Sequence, residues 1–461
     1  MDAFFNPSSI AVFGVAEDPR NLAQNIVLHC RKMGFRGGIY PVGRRAGTVH
    51  GEKIITDPET LPRGIDLAVI LVPARVVADT LDICGRKGIL HAVISTGGFR
   101  EFEAVHNQAE TRLISVAERY GIRFIGPNCI GIINPGSGLC TPFNPLRPDR
   151  FKKGPIGLII QSGGVTTQSA YHFSDEHVGF SKIISVGNKL NLDETDFIRY
   201  LRTDPETEQI HLYLESIENG REFMRGVKET PKPMVIFKSN TTDISAEIAH
   251  SHTAALANND RIVSGAFRQW GVVRAKSIHD MTVAAKALRL PPLKGNRLAV
   301  ISLSGGFSVI LGDACQKNGF TCPPLPRSLM DRIEGFRRGR VIRMSNPMDF
   351  GDIHDIDPLV FTLEQCLSLQ DIDGVVLSFI YDPQMSRMIG GETGGPEEIL
   401  RFMRKLCRVY HKPVALSLLT ERRFIEKFKA LEIFPLFNDP EESVRALALS
   451  REHYRKNPPA P

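Results

Sequence analysis

No apolar run of the roughly 18 residues needed to cross a bilayer occurs in this chain; the most apolar stretch, Ile65 to Val77, is broken by Pro73 and Arg75. A membrane protein is not expected. The opening MDAFFNPSSIAVFG enters a strand within a few residues, with no basic segment leading an apolar core, so no secretory signal is expected. The eight cysteines are scattered, without C-x-x-C or zinc-type Cys/His spacing, which points to reduced thiols in a cytoplasm and no bound metal. Basic residues are dispersed without aromatic interleaving, and a net charge of +6 is modest, so nucleic acid is not an expected partner. A Walker A glycine-lysine motif is also missing. Gly14 closes the first strand without the further glycines of G-x-G-x-x-G, and no acidic residue closes the second, which disfavours a hydride-transferring dinucleotide enzyme.

What is present is length and repetition. With 461 residues the chain exceeds one core and fits about three domains. PIGLIIQSGGVTTQSAYHFSDEHVGF from Pro155 is echoed by RLAVISLSGGFSVILGDACQKNGF from Arg297: an apolar strand, Ser-Gly-Gly, then a helix. Lys232-Pro233 before a strand is echoed by Lys412-Pro413, and GVVRAKSIHDMTVAAKAL from Gly271 by EIFPLFNDPEESVRALAL from Glu432. Each copy reads as a flavodoxin-like, doubly wound α/β domain.

The copies differ in one place. Between the Lys-Pro strand and the last strand, the first carries NTTDISAEIAHSHTAALANNDRIVSGAFRQW, while the second has a shorter charged helix. A loop added to one copy of a stable scaffold is a usual place for function, and it singles out His252 in Ser251-His252-Thr253 among thirteen histidines. A strand running into Ser-Gly-Gly and a helix leaves backbone N–H groups at the positive end of a helix dipole, an anion site. Ser162, Gly163 and Gly164 make one such turn, and Ser304, Gly305 and Gly306 another. The two together suggest a phosphoryl group, with His252 as the near-neutral nitrogen nucleophile able to carry it. The plainer alternative is a tight turn common in α/β proteins and a surface histidine.

The first domain alternates strands at Ser9–Gly14, Gly38–Val42, Leu67–Pro73, His91–Ser95 and Arg123–Gly126 with helices, a Rossmann-like parallel sheet. Its second strand runs into Arg44-Arg45, a guanidinium pair suited to phosphates or to a solvated turn. The predicted domains are 1–133, 150–290 and 296–455.

Several segments together resemble one family. FFNPSSIAVFGVAEDP, LAVILVPA, ISTGGFRE, GIRFIGPNCIGIINP, SVGNKLNLDETDFIRYLRTDPET, YLESIENGREF, AHSHTAALA and SNPMDFGD, in this order, are similar to the α subunits of the NDP-forming acyl-CoA synthetases, the succinyl-CoA synthetase superfamily. The resemblance covers essentially the whole chain. It implies an ADP-forming acid–CoA ligase with an N-terminal CoA-binding domain and a ligase domain that is phosphorylated on His252. Glu215 would orient the imidazole, with Glu218 as a spare, and both Ser-Gly-Gly turns would hold the transferred phosphate. CoA would lie along Gly14, Val15, Ala16, Glu17, Val42, Arg44, Val72, Pro73, Thr96, Gly97 and Gly98, with Pro127, Asn128 and Cys129 near the thioester. Cys129 is expected to line the pocket, since CoA supplies its own thiol. Mg²⁺ and ADP or ATP would sit on an ATP-grasp β subunit in an α₂β₂ assembly.

The chain departs from the family pattern in three places. Where the family typically has Ser-His-Thr-Gly and a late glycine this chain has Thr253-Ala254 and Asn258, Pro19 to Asn25 lacks the usual glycines, and Gly43 replaces a common asparagine. These changes predict a stiffer loop and altered CoA contacts. The alternative function is a non-catalytic CoA- or acyl-CoA-binding regulatory protein, against which the retained His252 and Glu215 argue.

Overall fold

Strands covered by helices on both faces read as unbroken apolar runs, and SIAVF, LAVI and GLII read that way. The computed structural model describes residues 1–99, 107–245, 247–248, 258–336, 344–351, 353, 356–382 and 396–457. Two compact units divide the chain, Met1–Ile278 and His279–Pro461.

The first unit holds two sheets. Strands β1 (Ser9–Phe13), β2 (Gly38–Val42), β5 (Leu67–Ile70), β6 (His91–Ile94) and β7 (Arg123–Ile125) form a parallel sheet in the order β2-β1-β5-β6-β7. A small ribbon, β3 (Thr48–Val49) with β4 (Glu52–Lys53), follows β2. The other sheet adds β8 (Gly131–Asn134), β9 (Leu139–Cys140), β10 (Lys153–Ile160), β11 (Phe180–Ser185), β12 (Gln209–Leu214), β13 (Met234–Lys238) and β14 (Val273–Ala275), in the order β14-β13-β12-β10-β11-β8-β9. Only β8 runs against the others in it, pairing antiparallel with β11 on one side and with β9 on the other. The second unit's sheet orders β15 (Leu298–Ser302), β16 (Met348–Asp349), β17 (Gly374–Ile380), β18 (Val414–Leu419) and β19 (Leu436–Phe437) as β16-β15-β17-β18-β19.

Numbered along the chain, the five parallel strands of every sheet stand in the order 2-1-3-4-5, the flavodoxin-type variant of the doubly wound plan. The Ser-Gly-Gly copies therefore share topology as well as sequence. The Lys-Pro echo has a physical reason too. Lys232 Nζ donates to the Leu201 and Asp204 carbonyls, both at 2.6 Å, at the end of the helix Glu194–Thr203. Lys412 Nζ donates to those of Leu367 (2.9 Å) and Leu369 (2.6 Å) at the end of the helix Ile356–Ser368. In each copy a lysine ammonium satisfies the orphan carbonyls of a helix C-terminus.

One hydrophobic cluster joins the two sheets of the first unit, running from Ile10 and Val12 on β1 to Ile159, Ile184 and Leu212 on β10, β11 and β12. Phe5 stacks on Tyr200 with ring centroids 4.5 Å apart and meets Phe197 edge-on. Burial on this scale, at roughly 25 cal/mol per Å², fixes how the two sheets meet, and the site lies where they do.

Candidate active site

In a doubly wound sheet, ligands lie outside the carboxyl ends of the strands, at the switch point between strands one and three. Here that is between β1 and β5. Phe13 pairs with Val42 on one side and Ile70 on the other, so the residues that follow these strands emerge together. Gly14 takes φ +98° and accepts no side chain: an added Cβ would lie 2.0 Å from the Leu71 carbonyl oxygen. Its N–H and that of Val15 both donate to the Val42 carbonyl, at 2.9 and 3.0 Å. Thr96 Oγ1 donates to the Val72 carbonyl at 2.7 Å and accepts from its N–H at 3.2 Å, tying the ends of β5 and β6. The Glu17 carboxylate accepts from Thr48 N–H, and Arg44 is exposed. The turn that lacks glycines is braced by Asn21. Its carboxamide donates to the Gly14 carbonyl (3.0 Å) and accepts from the Ala16 (3.2 Å) and Gln24 (3.1 Å) N–H groups.

The carboxyl ends of the two sheets enclose a cavity of about 440 Å³, walled by Asn128 and Cys129 from one sheet and by Ser162, Gly163, Gly164, Glu215 and Glu218 from the other. Ser162 caps the helix Gly163–Asp175, its hydroxyl accepting from Val165 N–H. A side chain at Gly164 would meet nothing within 4 Å, so the first-turn amides open onto the cavity. An uncharged cap, amides without intrahelical partners and free space fit a phosphate. Asn128 takes φ 59°, and its N–H donates to the Thr96 carbonyl at 2.9 Å. Gly187 makes room for this strand end: a Cβ there would lie 2.3 Å from the Pro127 carbonyl oxygen. Cys129 is buried, with Sγ 3.4 Å from the Ile94 carbonyl oxygen, and burial pushes its thiol up to about 12. At neutral pH that keeps the thiol of this wall residue protonated.

The wall includes residues that pattern reading missed. Ser95 Oγ and Asn144 Oδ1 are buried there without hydrogen-bond partners, although Asn144 Nδ2 donates to Thr167 Oγ1 at 3.0 Å. Buried polar atoms are rarely left so unless a ligand or water meets them. No sequence motif marks Asn144, whereas Ser95 directly precedes the Thr96-Gly97-Gly98 turn. Gln161, immediately before Ser162, is also part of the wall.

His252 falls outside the described residues, as does most of the segment from 246 to 257. The second Ser-Gly-Gly turn differs from the first. An added Cβ on Gly305 would lie 2.5 Å from Asp349 Oδ2, so a carboxylate already stands at the start of the helix Gly305–Lys317. Ser304 makes no side-chain cap; its N–H donates to Ser302 Oγ at 3.2 Å.

Comparison with known proteins agrees with this layout. Residues 8–135 match the family described as CoA binding domain, and residues 153–288 that described as succinyl-CoA ligase like flavodoxin domain. The α subunit of the ADP-forming acetate–CoA ligase II of Pyrococcus furiosus is 36% identical over 352 residues, 76% of each chain. The 4-hydroxybutyrate–CoA ligase (ADP-forming) of Nitrosopumilus maritimus is 33% identical over 319 residues, 68% of this chain but 45% of that protein, so the chain spans about half of that longer relative. The solved structure of the Ca. Korarchaeum cryptofilum dinucleotide-forming acetyl-coenzyme A synthetase 1, in complex with phosphate and ADP, superposes with TM-score 0.84 at 29% identity, over 99% of this chain and 97% of that one. Such a likeness along the whole chain, on a CoA-type sheet joined to a ligase-type sheet, means that the chain belongs to the α subunits of the ADP-forming acyl-CoA synthetases, which are acid–CoA ligases.

Proposed function

We propose that the cavity at the meeting of the two sheets is where acyl phosphate and CoA exchange, and that His252 carries the phosphoryl group between this cavity and a nucleotide. The observation that carries this reading is the joining, in one wall, of Asn128 and Cys129, the Ser162-Gly163-Gly164 helix start and the Glu215 carboxylate. In the synthetic direction ATP phosphorylates a nitrogen of His252 and ADP leaves. A carboxylate of the acid attacks the phosphorus, which gives acyl phosphate and restores the imidazole. The CoA thiol attacks the acyl carbon, phosphate leaves with the C–O electron pair, and the thiol proton ends on the departing phosphate. All three steps are reversible.

Each residue has a task that its position supports. The first-turn amides of Gly163 and Gly164 stabilise phosphate as charge moves onto it. Glu215 accepts from one imidazole N–H of His252, leaving the other nitrogen to attack and steadying the phosphorylated ring. Gly14 to Glu17, Val42, Arg44, Val72, Pro73 and Thr96 to Gly98 hold CoA across the switch point, with Arg44 on its phosphates. The Ser304-Gly305-Gly306 turn holds phosphate only once the Asp349 carboxylate is neutralised or displaced, so the first turn is the principal phosphate site. Mg²⁺ and ADP or ATP belong to an ATP-grasp partner, in an α₂β₂ assembly in the cytoplasm. The acid is a small carboxylic acid, as in the acetate and 4-hydroxybutyrate ligases named above.

The test is thioester formation from acid, CoA and MgATP by the chain combined with its ATP-grasp subunit. His252→Ala should abolish thioester and ADP formation while CoA affinity stays within about twofold, since a group acting only in the chemical step leaves ground-state binding alone. Undiminished synthesis by His252→Ala would refute the relay; no synthesis by the wild type with any acid, CoA binding intact, would return the regulatory reading.

A further inference from the structure

Residues 215–217 lie in the connection between β12 and the helix Gly220–Glu229, in neither helix nor strand. Such a segment ordinarily satisfies its backbone through water or turn hydrogen bonds. Here all six backbone polar groups are taken by side chains. Gln161 Oε1 accepts from the N–H of Glu215 (2.8 Å) and of Ser216 (3.1 Å). Lys238 Nζ donates to the Glu215 carbonyl and Lys189 Nζ to the Ser216 carbonyl, both at 2.8 Å. Asn258 closes the set, with Oδ1 accepting from Ile217 N–H at 2.9 Å and Nδ2 donating to the Ile217 carbonyl at 3.0 Å.

These four side chains come from four places in the sheet: after β10, after β11, the last residue of β13, and the residue before the cap of the helix Asp260–Gln269. Two of them are buried ammonium groups, and burying charge is costly unless it is paired or hydrogen-bonded. Lys189 is paired with the buried Glu194 carboxylate at 3.2 Å and holds φ 56°, a region that residues with side chains adopt under strain. Lys238 has two carbonyls as its hydrogen-bond acceptors, those of Glu215 and Ser239, and burial lowers it to about 8. Two lysines, one strained backbone and a double amide pairing far exceed what is needed to bury three residues. They suit a segment whose position matters to within a fraction of an ångström.

We propose that Gln161, Lys189, Lys238 and Asn258 are positioning residues that lock the backbone of 215–217, so that the Glu215 carboxylate is presented to the cavity in a single place. The inference rests on the reading that Glu215 serves phosphoryl transfer, and extends it to the four residues that hold its backbone, three of which lie outside the cavity wall. Asn258 is the informative member. Its one carboxamide holds both the N–H and the carbonyl of Ile217, two hydrogen bonds that alanine there cannot form.

The experiment is a double-mutant cycle on phosphorylation of the complete chain by its ATP-grasp subunit and labelled MgATP, using Asn258→Ala, Glu215→Gln and the pair. A residue acting through Glu215 gives non-additive losses. Asn258→Ala should slow phosphorylation about 10- to 100-fold with KM for CoA unchanged. In the Glu215→Gln background the same change should cost less than about twofold. Asn258→Asp, which keeps the acceptor for Ile217 N–H, should recover part of the rate. Losses that multiply in the double variant, or an Asn258→Ala chain as fast as wild type, overturn the inference and leave the Glu215 reading intact. A Glu215→Gln chain phosphorylated at the wild-type rate overturns that reading instead. Should Asn258→Ala fail to fold, Lys238→Met, which removes the donor to the Glu215 carbonyl from outside the cavity wall, replaces it in the same cycle.

Discussion

Cys129 shows what a residue's surroundings decide. In sequence it follows Gly-Pro-Asn at a strand end and invites a nucleophile reading; buried among apolar atoms, its thiol is pushed up to about 12. The prediction is that iodoacetamide at pH 8 alkylates Cys129 far more slowly in the native chain than in urea, and that Cys129→Ser forms thioester at no less than roughly a tenth of the wild-type rate, where loss of a true nucleophile costs a factor on the order of 10⁴ or more. Rapid native alkylation with matching inactivation would contradict the wall role. Glu215 and Ser162 were legible because a repeat and a resemblance marked them. Ser95 and Asn144 were not, because an unpartnered polar atom is defined by what surrounds it in three dimensions.

Helices and strands were read well where apolar periodicity was strong, and the tie between elements was where the sequence fell silent. Lys238 ends a strand and Asn258 precedes a cap, and neither position suggests that both reach the connection after β12. Another such tie holds the second unit together. Lys286, on the helix Ile278–Ala287, donates to Glu442 Oε1 at 2.7 Å, on the helix Pro440–Lys456, while Asn438 Nδ2 donates to Oε2 at 2.9 Å and His279 Nε2 lies 3.4 Å from it. Burial alone would raise the Glu442 carboxyl; His279, Lys286 and Asn438 overcome it and bring it down to about 2 from an ordinary 4.5. A carboxyl lowered in the folded state stabilises fully above pH 4.5, and that contribution fades as pH falls toward 2. Glu442→Gln leaves Lys286 buried without its counter-charge, so it should cost about 3–5 kcal/mol at pH 7, with the gap to wild type narrowing below pH 4.5. Thermal unfolding at pH 7 and pH 3.5 checks this; a gap independent of pH would show that the pair carries no charge-dependent stability.

Across the whole molecule the duplication was the clearest message of the sequence, and the common 2-1-3-4-5 strand order extends it to all three sheets. The copies diverge in physical terms at their Ser-Gly-Gly turns. The first opens onto a cavity with an uncharged serine cap, and the second carries the Asp349 carboxylate beside Gly305. Sequence likeness of the two turns concealed this, because Asp349 enters from a strand more than forty residues later in the chain. The phosphorelay account therefore places the chemistry in the first unit and on one histidine. Its most direct test is to incubate the chain with its ATP-grasp subunit, Mg²⁺ and γ-labelled ATP, and to map the label by mass spectrometry. The account predicts an acid-labile, base-stable phosphoryl group on His252, absent from His252→Ala and discharged by CoA together with the acid; a label on any other residue, or a His252 label that CoA and acid leave in place, would contradict it.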